Sequence, residues 1–162
     1  MDEFSTALND ILVEIYNNVL DLEEKAVNSV SRKLKLSISE IHFLEAAAKG
    51  GENGLTVSEL ADELGITKPS VTVAVNKLEK KGYLEKRQCK KDGRSVRVFL
   101  TREGNKVNSC HQYFHRRMVR SVSDGLDEKE KEFLVATISK LNNYFKKSIE
   151  SIKELSKIMR NL

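Results

Sequence analysis

The sequence predicts a mainly α-helical fold that carries one small β-wing. Three observations lead there. Apolar residues recur at 3- and 4-residue steps over most of the chain. Two helix starts follow each other closely near its middle, and the period changes to two in a single place. The only proline, Pro69, leaves nearly all of the helical pattern unbroken.

Phe4–Lys33 reads as a long helix, with Phe4, Leu8, Ile11, Ile15 and Leu22 on one stripe. Ser39 is placed to cap a second helix, Glu40–Lys49, which Gly50 and Gly51 end. Thr56-Val57-Ser58-Glu59 is a capping box: the Thr56 side chain caps the helix and Glu59 reaches back. It opens a short helix with Val57, Leu60, Ala61 and Leu64 inward, stopped by Gly65. Thr67 is the next N-cap, and that helix runs to Lys81 before Gly82. Two helices joined by so tight a turn form a helix-turn-helix. Tyr83–Cys89 and Ser95–Leu100 then alternate like strands around the hairpin signal Asp92-Gly93. Thr101 caps a long helix to about Val122. Asp127, with Glu130 three residues on, starts a last helix that reaches about Met159. Its stripe of Leu134, Ile138, Leu141, Phe145, Ile149 or Ser148, Ile152, Leu155 and Met159 is close to a heptad repeat and calls for a partner helix.

These elements divide the chain into an N-terminal dimerisation helix (1–35), a winged helix-turn-helix (36–102) and C-terminal dimerisation helices (103–162). A small winged domain cannot bury both long apolar stripes. A homodimer in which the first and last helices of two subunits interlock covers them.

Charge is unevenly spread. The net charge of +4 conceals a stretch, Gly65–Arg102, with eleven Lys/Arg against three acids, whereas Met1–Leu64 carries five basic residues against thirteen acidic. Basic charge so concentrated suits a polyanion, because Lys and Arg near phosphates release condensed counterions. On the helix after Thr67, Val71, Ala74, Val75 and Leu78 form one face. The opposite face carries Pro69, Thr72, Val73, Asn76 and Lys80, edged by Ser70 and Lys77. That outward set suits a major groove: hydroxyls and Asn76 for base edges or phosphate, with adenine as the expected partner of Asn76, and Val73 for thymine methyls. Thr67 and Lys68 stand at the helix N-terminus, which favours phosphate. At the hairpin tip Lys90 and Lys91 are expected DNA contacts and Arg94 is placed for a minor groove, with Asp92 to orient it and Arg97, a further expected contact, following on the strand. Double-stranded DNA is the expected partner, with half-sites about one helical turn apart for a two-fold dimer.

Other classes find little footing. The chain lacks a Gly-rich phosphate loop, a nucleophile elbow and a paired-carboxylate motif, so an enzyme is not expected. No apolar run approaches the roughly 20 residues of a membrane span. Only two cysteines occur, Cys89 and Cys110, which fits a reducing cytoplasm, and both are read as inert. A winged-helix module that binds protein rather than DNA is the competing reading, against which the basic stretch argues.

Asp92-Gly93-Arg94, Leu78-Glu79-Lys80-Lys81-Gly82-Tyr83-Leu84 and Leu100-Thr101-Arg102-Glu103-Gly104 resemble motifs of the MarR (multiple antibiotic resistance regulator) family of bacterial transcription factors. The resemblance implies a homodimer on a palindromic operator, usually repressing, with an effector pocket between dimerisation helices and DNA lobes. Asn17-Asn18-Val19-Leu20, Ser37–His42 and Phe114–Val119 are most similar to the branch that represses fatty-acid biosynthesis in Gram-positive bacteria. That likeness implies an acyl chain or acylated carrier protein as effector.

His111 and His115, i and i+4 on one helix, share a face and could hold one metal ion. By resemblance, Glu24, His42, His111 and His115 match the ligand positions of zinc-responsive family members. Zinc is therefore a candidate cofactor. A cluster of hydrogen-bonded histidines beside the pocket is the alternative.

Overall fold

The computed structural model describes residues 2–30, 36–88 and 96–160. Its elements are α1 (Glu3–Val30), α2 (Ile38–Ala48), a 3-10 turn (Gly51–Asn53), β1 (Leu55–Thr56), α3 (Val57–Leu64), α4 (Lys68–Lys80), β2 (Leu84–Gln88), β3 (Val96–Leu100), α5 (Arg102–Ser123) and α6 (Glu128–Arg160). The chain forms two compact units, Met1–Arg116 and Arg117–Leu162.

The helix starts follow local chemistry. In α3, the Thr56 Oγ1 accepts the Glu59 N–H at 3.2 Å and a Glu59 oxygen accepts the Thr56 N–H at 2.7 Å. In α6 the same exchange joins Asp127 and Glu130, at 2.9 and 2.8 Å. The start of α2 departs from expectation: its N-cap is Ser37, not Ser39. Only Ser37 has a glutamate three residues on, and Glu40 accepts the Ser37 N–H at 2.9 Å. The spacing that makes a capping box thus selects between two serines.

The sheet is antiparallel with order β1-β3-β2. Lys86 lies opposite Val98, and Leu55 lies opposite Val98 on its other side. The two-residue strand β1 is an addition to the expected hairpin. The hairpin tip lies outside the described residues.

One core serves the first unit. Leu36, Ile41 and Leu44 meet Leu60 of α3, Val71, Val75 and Leu78 of α4, and Tyr83, Leu84 and Val98 of the sheet, all nearly inaccessible to solvent. Gly82, at φ +80°, makes the turn from α4 into Tyr83, a conformation that costs other residues more than glycine. Thr101 fastens the far end of the hairpin. Its hydroxyl donates to Gly82 O at 2.7 Å and accepts the Gly104 N–H at 3.1 Å, capping α5.

In the second unit, α6 leaves Phe133, Val135, Ile138, Tyr144, Ile149 and Ile152 exposed. In the first, α1 likewise exposes Phe4, Ile11, Ile15 and Leu22. None of the helices among the described residues is long and apolar enough to cross a membrane.

Gly104 is packed so tightly that a β-carbon there would stand 2.2 Å from Tyr83 O. Gly104→Ala should therefore cost about 1–3 kcal/mol, since backbone must move to admit the methyl. Thermal unfolding should show this as a fall of several degrees, whereas an unchanged midpoint would mean that α5 shifts without strain.

Candidate nucleic-acid interface

The exposed helix α4 owes its position to what it buries. Val71, Val75 and Leu78 are in the core, and Ala74 is half-buried beside them. Lys68, Pro69, Ser70, Thr72, Val73, Asn76, Lys77 and Lys80 are all exposed. This is the face expected from a 100° helical step. Thr67 caps the helix, accepting the Ser70 N–H at 3.3 Å, and Pro69 sits in the first turn where no N–H partner is needed.

The polar groups of this face are partly engaged within the protein. The Thr67 and Ser70 hydroxyls share a hydrogen bond of 2.9 Å, and Thr72 Oγ1 donates to Lys68 O at 3.0 Å. Val73 stands clear of them, 68% exposed. Lys86 reaches from β2 to α4, donating to Asn76 Oδ1 and Glu79 Oε2, each at 2.7 Å.

Lys77 and Lys81 meet Glu40. The Lys81 ammonium lies 2.8 Å from both Glu40 oxygens, and Lys77 Nζ lies 3.1 Å from Oε1. Burial alone would raise the Glu40 pKa. The Lys81 ammonium, the Ser37 N–H and Lys77 outweigh it, and the carboxyl is held below its usual value. Glu40 was not among the residues singled out from the sequence, although its place three residues after Ser37 marks it.

Arg97, expected among the DNA contacts, is half-buried and turned to the loop before α3. Its guanidinium donates to Asn53 O at 3.4 Å and Gly54 O at 3.0 Å, and lies 3.7 Å from Glu59 Oε2. Beside it, Arg87 pairs with Glu85 and stacks over the Phe99 ring at 4.6 Å. Lys90, Lys91, Asp92 and Arg94 lie outside the described residues.

The histidines do gather. Glu23, His42 and His111 bring one potential ligand atom each within 4.8 Å of one another. His42 Nε2 is 3.3 Å from Glu23 Oε2. His115 Nε2 is 3.0 Å from both Glu23 Oε1 and His111 Nε2. The carboxylate is Glu23, 3% exposed, and not Glu24, which faces solvent. Glu23 shares a helix face with fully buried Val27 four residues on, whereas Glu24 is turned 100° away. His111 is fully buried and its Nδ1 has no hydrogen-bond partner among the described residues, though Glu45 Oε2 is 3.7 Å away. Burial, and then the neighbouring His115, lower its pKa, which favours the neutral imidazole. Cys110, half-buried, donates to Ala26 O at 3.7 Å, and burial raises its thiol pKa. Its pKa thus shifts away from that of a reactive thiolate.

Comparison with known proteins agrees with this arrangement. The MarR family model matches residues 34–95. The chain is 32% identical to Streptococcus pneumoniae FabT, solved in complex with DNA, with a TM-score of 0.77 over 88% of this chain and 98% of that one. It is 30% identical over 105 residues to the helix-turn-helix transcriptional regulator YhjH of Bacillus subtilis, covering 64% of this chain but only 59% of that regulator's length. It is 25% identical over 135 residues to the transcriptional regulator PecS of Dickeya dadantii, covering 83% of this chain and 81% of that one. The chain belongs to the MarR family.

Glu40→Gln should destabilise the protein by about 1–3 kcal/mol at neutral pH, because two lysines lose their shared carboxylate. A lowered folded-state pKa gives stability that is present above the usual glutamate value of 4.5 and lost as pH falls through the folded value. The gap between wild type and variant should therefore narrow in acid. Denaturant titrations at pH 7 and pH 4 check this, and an equal gap at both would rule out the ionised pair as its source.

Proposed function

We propose that this protein is a DNA-binding transcriptional regulator, acting as a homodimer on a two-fold operator and repressing transcription under control of an effector. The observation that carries the reading is the exposed face of α4, backed by a fully buried stripe and presented next to the sheet. Thr67, Lys68, Pro69, Ser70, Thr72, Val73, Asn76 and Lys77 are the contacts assigned to the major groove. Lys90, Lys91, Asp92 and Arg94 are assigned to the wing, with Arg97 bracing its base. The apolar stripes exposed on α1 and α6 supply the material for a dimer interface. Likeness to the fatty-acid branch of the family, with FabT at 32% identity, supports an acyl ligand or acylated carrier protein as the effector to test first.

Val73→Glu tests the interface without touching the core, since Val73 makes no part of it. Fluorescence anisotropy on a duplex selected from random sequence should show at least a tenfold loss of affinity, because the carboxylate meets phosphates. The melting temperature should stay put. Retained affinity would remove α4 from the interface and favour a protein-binding module.

A second reading concerns the histidine cluster. Tetrahedral zinc with bonds of about 2.0–2.1 Å holds its ligand atoms about 3.3 Å apart. Four of the spacings in the cluster, those of His42, His111 and His115 to one or other Glu23 oxygen and of His115 to His111, lie between 3.0 and 3.8 Å, and the ligand atoms of Glu23, His42 and His111 all fall within 4.8 Å of one another. The donor set, three imidazoles and one carboxylate, is one that zinc accepts. Zinc held there would tie α1, α2 and α5 together. Equilibrium dialysis should then leave about one zinc per chain, and His111→Ala should abolish retention. No retained zinc, with DNA affinity unchanged by chelator, would leave the four side chains as a hydrogen-bonded polar cluster.

A further inference from the structure

Lys86 makes a contact that neither the motifs nor the assigned DNA face includes. Its ammonium stands between Asn76 and Glu79 on the same side of α4, 2.7 Å from each. The residue is exposed, although only 34% of its side chain is open to solvent. An ammonium has three donors and no acceptor, so the amide atom it touches must be the oxygen. The chemistry of the lysine thus settles which way the Asn76 amide points.

This matters for what Asn76 can read. Recognition of adenine by asparagine is bidentate: the amide oxygen accepts from N6 while the amide nitrogen donates to N7. Here the oxygen is turned to a cation on the wing sheet, and the Nδ2 group has no partner among the described residues. The cation also polarises the amide and strengthens its N–H groups as donors. An exposed side chain that offers donors alone matches a base edge that offers acceptors alone. In the major groove that edge belongs to guanine, with N7 and O6.

Resting on the DNA-binding reading above, we infer that Lys86 is a positioning residue that fixes Asn76 as a hydrogen-bond donor and so directs it to guanine rather than adenine. Glu79 holds the ammonium from the opposite side and keeps it from swinging to a phosphate. The pair Lys86–Glu79 sets the specificity of a residue that neither of them replaces in the groove.

The test is selection of duplexes from a random pool by the full-length wild type, Asn76→Ala and Lys86→Met, followed by affinity measurements over a salt series. Asn76→Ala should erase the preference at one position per half-site, and in the wild type that position should favour guanine by about fivefold or more. Lys86→Met keeps the aliphatic stem and frees the amide to rotate. Its preference at that position should relax toward adenine, while the slope of log affinity against log salt stays as in the wild type. A slope shallower by about 0.9 with an unchanged base preference would make Lys86 a phosphate contact and overturn the inference. So would adenine preferred by the wild type, or an Asn76→Ala profile identical to the wild type. Absence of any duplex binding by the wild type would instead sink the DNA-binding reading itself, and the inference with it.

Discussion

Three side chains on one stripe of α4, Val71, Val75 and Leu78, have essentially no access to solvent, and the interface depends on them. Each such burial is worth roughly 1.5–3 kcal/mol as an upper bound. A helix held by that stripe can be polar, short and rich in hydroxyls on its other side, because none of its stability has to come from there. The composition of the outward face is thereby released for recognition. The same constraint gives α4 its phase. Rotating the helix by one residue would put Thr72 and Asn76 into the core and Val75 into water.

Electrostatics refine that placement. Glu40 is a buried carboxylate on α2 that receives two ammonium groups from the last turns of α4 and one N–H from its own N-cap. Lysines at a helix C-terminus also suit its dipole. The arrangement ties the end of the recognition helix to the beginning of α2, and α2 presents His42 half a turn later to the Glu23 cluster. Two polar sites with different chemistry thus lie on one short helix.

Features that depend on near neighbours were legible in the sequence. The capping boxes at Thr56 and Asp127, the Thr67 cap and the inward stripe of α4 all follow from spacings of three and four residues. Ser37 and Ser39 can both cap, and only the glutamate three residues after Ser37 separates them. Features that depend on distant neighbours were not legible. Glu23 and Glu24 are both acidic and adjacent, and which of them meets the histidines depends on how α1 is turned against α2 and α5. Leu55-Thr56 is a strand only because Val98 and Arg97 lie beside it. That pairing also draws Arg97 toward the carbonyls of Asn53 and Gly54, which its place in a basic run does not reveal.

The pairing of lysines with carboxylates has a consequence for the first approach of a polyanion. Along α4, Lys77 is matched by Glu40, whereas Lys68 and Lys80 have no carboxylate partner among the described residues. The uncompensated charge of the helix therefore sits near its two ends. Two separated like charges feel a torque in a field that differs between their positions, as it does close to a polyanion, whereas a single central charge feels none. Long-range attraction of this kind orients a molecule as well as speeding its arrival. The angle at which the helix meets a groove is thus biased while the partners are still separated by water.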